Sequence, residues 1–128
     1  MKISRFEDLE IWKEARELCK IVRNLTKKDA FSKDFRFCAQ FNSSTGSIMD
    51  NIAEGFDRDG NKEFVQFLSI ARGSNAESRS QAYRASDSDF ISLIELEDVL
   101  MRTESLRNKI NNLIIYLRNS DKKGNKFS

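Results

Sequence analysis

Apolar residues recur along the first part of the chain at Ile11, Ala15, Leu18, Val22 and Leu25, in alternating steps of four and three. That spacing is one face of a helix. Leu9, Trp12 and Cys19 widen the stripe, which suits a globular bundle better than a narrow two-stranded seam. Ser4 and Glu7 have capping-box spacing, so the first helix is predicted to begin between Ser4 and Asp8. Trp12 packs in the core or an interface. The pattern fails at Lys27-Lys28-Asp29, a connector whose far end, Phe31, plugs the mouth of the bundle.

Asp34 is a predicted N-cap for a second helix from Phe35 to Gly55, with Cys38, Phe41, Thr45, Ile48 and Ile52 on its packed face. A polar row runs beside this face: Ser47, Asn51 and Glu54 repeat at the same spacing. Gly46 suggests a close helix crossing, and Gly55 reads as the residue just past the helix end. Asn61 is the next predicted N-cap. The third helix runs from Lys62 to Ala85. Its face is bulky at first (Phe64, Phe67, Leu68) and small later (Ser74, Ser78, Ala82, Ala85), so the later half should pack closely. Ser92 and Glu95 form a second capping box, opening a fourth helix to Asn119 with Leu93, Leu96, Leu100, Thr103, Leu106, Ile110, Leu113 and Leu117 on one face. Val99, Ile114 and Ile115 fall off that face, a surplus that hints at a subunit interface.

Four helices of about 20 residues, each about 30 Å long, joined by short connectors, predict an all-α, antiparallel up-down-up-down four-helix bundle spanning 1–119, with a disordered polar tail at 120–128. The chain has 128 residues, no proline and five glycines, which removes a turn-rich β fold. No apolar run is long enough for a bilayer. The start of the chain turns acidic at once and lacks a signal-peptide core, so a reducing cytoplasm is expected, with Cys19 and Cys38 as free thiols.

An unpartnered buried polar group costs about 1–3 kcal/mol, so the row on the second helix requires partners. Ser74, Glu77, Arg79 and Gln81 on the third can supply them. Ser47, Asn51, Glu54, Ser74, Glu77 and Arg79 are therefore expected to form a structural network that sets helix register. Catalysis is not expected. Histidine is absent, which excludes histidine-dependent nucleophilic pairs and Glu-x-x-His iron sites. Glu54 and Glu77 offer too few carboxylates for an oxygen-ligand metal site. No glycine-rich phosphate loop is present, so no cofactor is expected.

Net charge is only +2, but from Arg102 onward seven basic residues face two acidic ones. Arg102, Arg107, Lys109, Arg118, Lys122 and Lys123 are candidate nucleic-acid contacts. The competing reading is that they complement the dipole of the last helix.

Phe6-x-Asp8-Leu9-x-Ile11-Trp12-Lys13-x-Ala15, Gln40 followed by Ser47-Ile48-x-x-Asn51-Ile52-Ala53-Glu54-Gly55, and Phe64-x-x-Phe67-Leu68-x-Ile70-Ala71-x-Gly73-Ser74-x-x-Glu77 resemble the bacterial four-helix bundle family whose founding members are encoded in intervening sequences of large-subunit ribosomal RNA genes. The resemblance implies a ring-like homopentamer. It also extends to the accessory variability proteins of diversity-generating retroelements, which implies binding to RNA or DNA and to a reverse transcriptase-like partner. Family members often carry a basic pair after the residue matching Gln40, where this chain has Asn42 and Ser43, and proline where it has Met49. The resulting expectation is a non-enzymatic, self-assembling scaffold that associates with RNA or an RNA-associated protein. The alternative is a protein-interaction module with no nucleic-acid role.

Overall fold

The computed structural model describes residues 3–122. After a 3-10 turn at Phe6–Asp8 come α1 (Glu10–Leu25), the single-turn α2 (Asp29–Ser32), α3 (Phe35–Phe56), α4 (Asn61–Asp87) and α5 (Leu93–Lys122), with no strand among the described residues. The four long helices form a closed ring of neighbours: α1 packs on α3, α3 on α4, α4 on α5 and α5 on α1. Side-chain bonds across three of these four seams give the direction, and the fourth follows from them. Ser44 and Ser47 pair with Ser78 and Ser74, Arg79 and Arg72 with Leu100 and Asn111, and Glu14 and Glu10 with Ser105 and Lys109. In each set one number rises as the other falls, so neighbouring helices are antiparallel and the up-down-up-down topology follows.

The interior contains the α1 face Ile11, Ala15, Leu18, Val22 and Leu25, together with Phe41, Ile48, Ile52, Leu68, Leu106 and Ile110, all buried. Phe31 closes one end. It is fully buried, with its ring 4.8 Å from Phe90, 5.2 Å from Phe37 and 6.2 Å from Phe41. Lys28 bridges to Glu95 at 2.6 Å and ties the α1–α3 connector to the start of α5. The Ser92–Glu95 capping box forms reciprocally: Ser92 N donates to Glu95 Oε1 at 2.8 Å and Glu95 N to Ser92 Oγ at 3.1 Å. Asp34 caps α3 by accepting from Phe37 N at 3.1 Å.

Several boundaries differ from the sequence reading. Ser4 and Glu7 form no capping box. The segment makes a 3-10 turn, breaks at the extended, buried Leu9, and starts α1 at Glu10 with no side-chain cap. Asn61 is not the cap of α4 but its first residue, buried, behind Gly60 at φ +89, a conformation suited to glycine. Gly55 lies inside α3, which ends at Phe56. It marks the close crossing: a Cβ there would sit 2.6 Å from Phe67 Cβ and 3.1 Å from Phe64 Cδ1. Gly46, expected to mark such a crossing, has nothing within 4 Å of a modest added methyl. α5 continues past Asn119 to Lys122, so part of the expected tail is helical; 123–128 lie outside the described residues. The buried seam of α5 takes in Val99 and Ile114 and leaves Leu93 exposed, so of the three supposed surplus residues only Ile115 faces outward.

Candidate functional site

A hydroxyl and amide row joins α3 to the small-residue half of α4. The Ser44 and Ser78 hydroxyls share a 2.9 Å hydrogen bond, and Ser44 Oγ lies 2.6 Å from Gln81 Oε1. One turn along, the Ser47 and Ser74 hydroxyls are 2.9 Å apart. Asn51 Nδ2 donates to Ser47 O at 2.8 Å and to Ser47 Oγ at 3.0 Å. Short side chains make this possible, because only small residues let two helices approach closely enough for hydroxyls to meet.

Three expected members lie elsewhere. Glu54 is exposed and pairs with Arg58 on its own helix at 2.7 Å. Glu77 is exposed on the rim of a polar groove that Gln40, Ser43 and Gln81 also line. Both carboxylates are long enough to escape to water, which avoids the cost of burying a charge. Arg79 turns to the other neighbour: its Nη1 donates to Leu100 O at 2.6 Å and Thr103 Oγ1 at 2.9 Å. Ser44 and Ser78 take the vacated places. They continue the spacing of Ser47 and Ser74 by one turn, so a signal exists, although from sequence only Ser78 is placed, on the small packing face, and Ser44 is not.

The α4–α5 seam carries a second polar set. Asn75 Nδ2 donates to Thr103 O at 2.8 Å, while its buried Oδ1 has no partner. Arg72 Nη1 donates to Asn111 Oδ1 at 2.6 Å.

The six basic candidates divide. Arg102 pairs with Asp98 at 3.1 Å. Lys109 is clamped between Glu10 and Glu14 on α1, and its hydrogen bond holds the Glu10 carboxyl below its usual range. Arg107 and Arg118 are exposed and belong to no ion pair among the described residues. Lys122 ends α5; Lys123 lies outside the described residues.

Little of this is chemically reactive. The serine hydroxyls of the α3–α4 row bond to one another, to amides and to backbone carbonyls, and none of them is hydrogen-bonded to a carboxylate that could activate it as a nucleophile. Burial raises the Cys19 and Cys38 thiols above their usual range, which keeps them protonated and unreactive near neutrality. Among the described residues no group of three or more His, Cys, Asp or Glu side chains could hold a metal ion, and no helix is long and apolar enough to cross a membrane. The prominent outward feature is apolar. Ile94, Met101 and Ile115 are 80%, 64% and 57% exposed on α5. With Asn108 they stand seven residues apart, along one outer stripe.

Fold and site together define an all-α bundle with hydrogen-bonded polar side chains along its α3–α4 and α4–α5 seams. Residues 7–112 match the family of the 23S rRNA-intervening sequence protein, and the chain belongs to that family. A solved protein of unknown function from the S23 ribosomal protein family of Bacteroides thetaiotaomicron VPI-5482 has the same fold, with a TM-score of 0.76 at 20% identity over 81% of this chain and 97% of that one. No curated protein matches the chain. Neither match names an enzyme.

Proposed function

We propose that this chain is a non-enzymatic, self-assembling scaffold that carries RNA on its basic surface. The observation behind this reading is the outer stripe of α5. Ile94, Met101, Asn108 and Ile115 recur at the seven-residue interval along which one helix meets another, over about 32 Å of helix. Three of the four are large apolar residues in water. A second copy of the chain covers them. In the homopentameric ring implied by the family resemblance the covering surface is a different face of the neighbouring copy, since stripe-on-stripe pairing closes at a dimer. The assembly works in a reducing cytoplasm, with both cysteines as thiols. Its basic side chains, crowded toward the end of α5, attract phosphate, and a reverse transcriptase-like protein is one candidate for the company such an RNA keeps.

Light scattering with absorbance at 260 nm on the same peak tests both halves. The parent chain is expected at a multiple of 14.8 kDa, and Met101→Glu with Ile115→Glu at the monomer mass. A monomeric parent overturns the assembly, and the lack of any salt-sensitive RNA shift in a gel overturns the RNA role. The exposed Leu93, at 71% beside Ile94, also favours a second reading, a module for a different protein. A stoichiometric partner that survives nuclease treatment would support that one.

A further inference from the structure

We infer that the α4–α5 groove is the RNA-binding site, a track for one strand formed by Arg72, Arg79, Arg107 and Arg118, with Tyr83 at its end. This rests on the RNA reading above and assigns it a place. The argument starts from what each guanidinium touches. Arg79 and Arg72 are half-buried and held by a carbonyl, a hydroxyl and an amide oxygen. None of these acceptors is charged. Each arginine is thereby oriented while its positive charge stays uncompensated, and it keeps donors to spare, since a guanidinium has five. Arg102 and Lys109 are different: carboxylates of this same chain already neutralise them.

Helical spacing places the other two in line. Arg107 is four residues from both Thr103 and Asn111, the anchor points of Arg79 and Arg72, so it stands one turn from each on the same side of α5. Three guanidiniums therefore recur about every 6 Å along the groove. Arg118 extends the row two turns further, and both it and Arg107 are exposed. Glu104 and, two turns before it, Glu97 are exposed acidic residues on the α5 lip of this row, outnumbered by the four arginines. On α4, Tyr83 is one turn beyond Arg79 and 48% exposed, an aromatic face beside a cationic track. Cations following a backbone, with aromatic rings for bases, are how proteins hold single strands. Arginine also recognises phosphate by paired N–H donors, which a lysine row would not. Pre-orientation by neutral acceptors removes much of the ordering cost at the moment of binding.

The test uses the full chain and a short labelled oligouridylate, followed by fluorescence anisotropy over a range of salt. Arg107→Gln with Arg118→Gln is expected to weaken binding by about tenfold or more and to flatten the salt slope by about 1.4, two contacts at about 0.7 each. Tyr83→Ala is expected to weaken it by about tenfold. Lys13→Gln with Lys33→Gln, an equal charge loss elsewhere, is expected to leave affinity unchanged. Equal losses from the two pairs overturn the inference, as does a groove pair that binds like the parent or that alters only the assembly mass. If Arg102→Gln with Lys109→Gln carries the loss instead, RNA binding stands and the groove assignment fails. If the parent binds no RNA at any salt, both fail.

Discussion

Two glycines of α3 separate what a residue type suggests from what its surroundings require. At Gly55 a methyl group would press on Phe67 Cβ at 2.6 Å. That neighbour is the root of a bulky ring at the α3–α4 crossing, so relief requires the helices to move. Gly55→Ala is expected to destabilise by about 1–3 kcal/mol, the usual cost of overpacking. Gly46 faces open space, so Gly46→Ala should gain helix propensity and stabilise by up to about 1 kcal/mol. Urea denaturation of the two variants checks both signs. A glycine letter carries no information about which of them has a ring above it. The same holds for Arg79 and Glu54: spacing gives the angle around a helix, while the length of the side chain decides whether its end stays at the seam, crosses to the other neighbour or leaves for water. Asn42 shows a related limit. Its Nδ2 donates to Thr26 Oγ1 at 3.1 Å and Cys38 O at 2.9 Å, so a position where the resemblance leads one to expect a cation here stitches α3 to the end of α1.

At the scale of elements, the start of α5 is held by groups that titrate. Glu95 receives the hydrogen bond from Lys28 first, then that of Ser92 N, and these pull its carboxyl below the ordinary 4.5. A depressed folded-state pKa gives stability that is fully present above the unfolded value and lost as pH falls through the folded one. Thermal stability should therefore decline as the pH drops below about 4.5, and Glu95→Gln should flatten that decline while lowering stability at neutral pH. Melting curves across the acid range measure it. This capping box was legible because both its residues sit at fixed local spacing. The face of α1 was legible because its apolar positions are few and unambiguous. α5 was harder. It is rich in leucine and isoleucine over 30 residues, so two overlapping seams fit steps of three and four, and only the packed neighbours decide between Leu93 and Leu100 on one hand and Val99 and Ile114 on the other. The polar row on α3 was visible in outline, through Ser47, Asn51 and Ser74. Its extension through Ser44, Ser78 and Gln81 depended on how closely the two helices approach.

For the whole molecule, the proposed assembly through the outer stripe of α5 would tie folding to association. If a second copy covers it, the folded assembly gains free energy with concentration, because partners bind the native chain and not the unfolded one. The melting temperature of the parent is then expected to rise over a hundredfold dilution series, while the Met101→Glu, Ile115→Glu variant melts at one temperature throughout. Parallel curves for the two would remove the stripe from the assembly. Fold class and topology could be read from the apolar periodicity and short connectors, because both are properties of the backbone path. The proposed RNA track could not, since it depends on which arginines the chain's own carboxylates neutralise, and that is decided only by helices far apart in sequence meeting.

The clamp of Lys109 by Glu10 and Glu14 has one more consequence. It sets the beginning of α1 beside the middle of α5, which runs on by about 20 Å to Lys122, so the polypeptide enters and leaves the bundle toward the same pole. A circular permutant, opened in the Asp57–Gly60 loop and closed by a flexible bridge from the end of α5 back to Phe6, should preserve all four seams and refold to the same helical content.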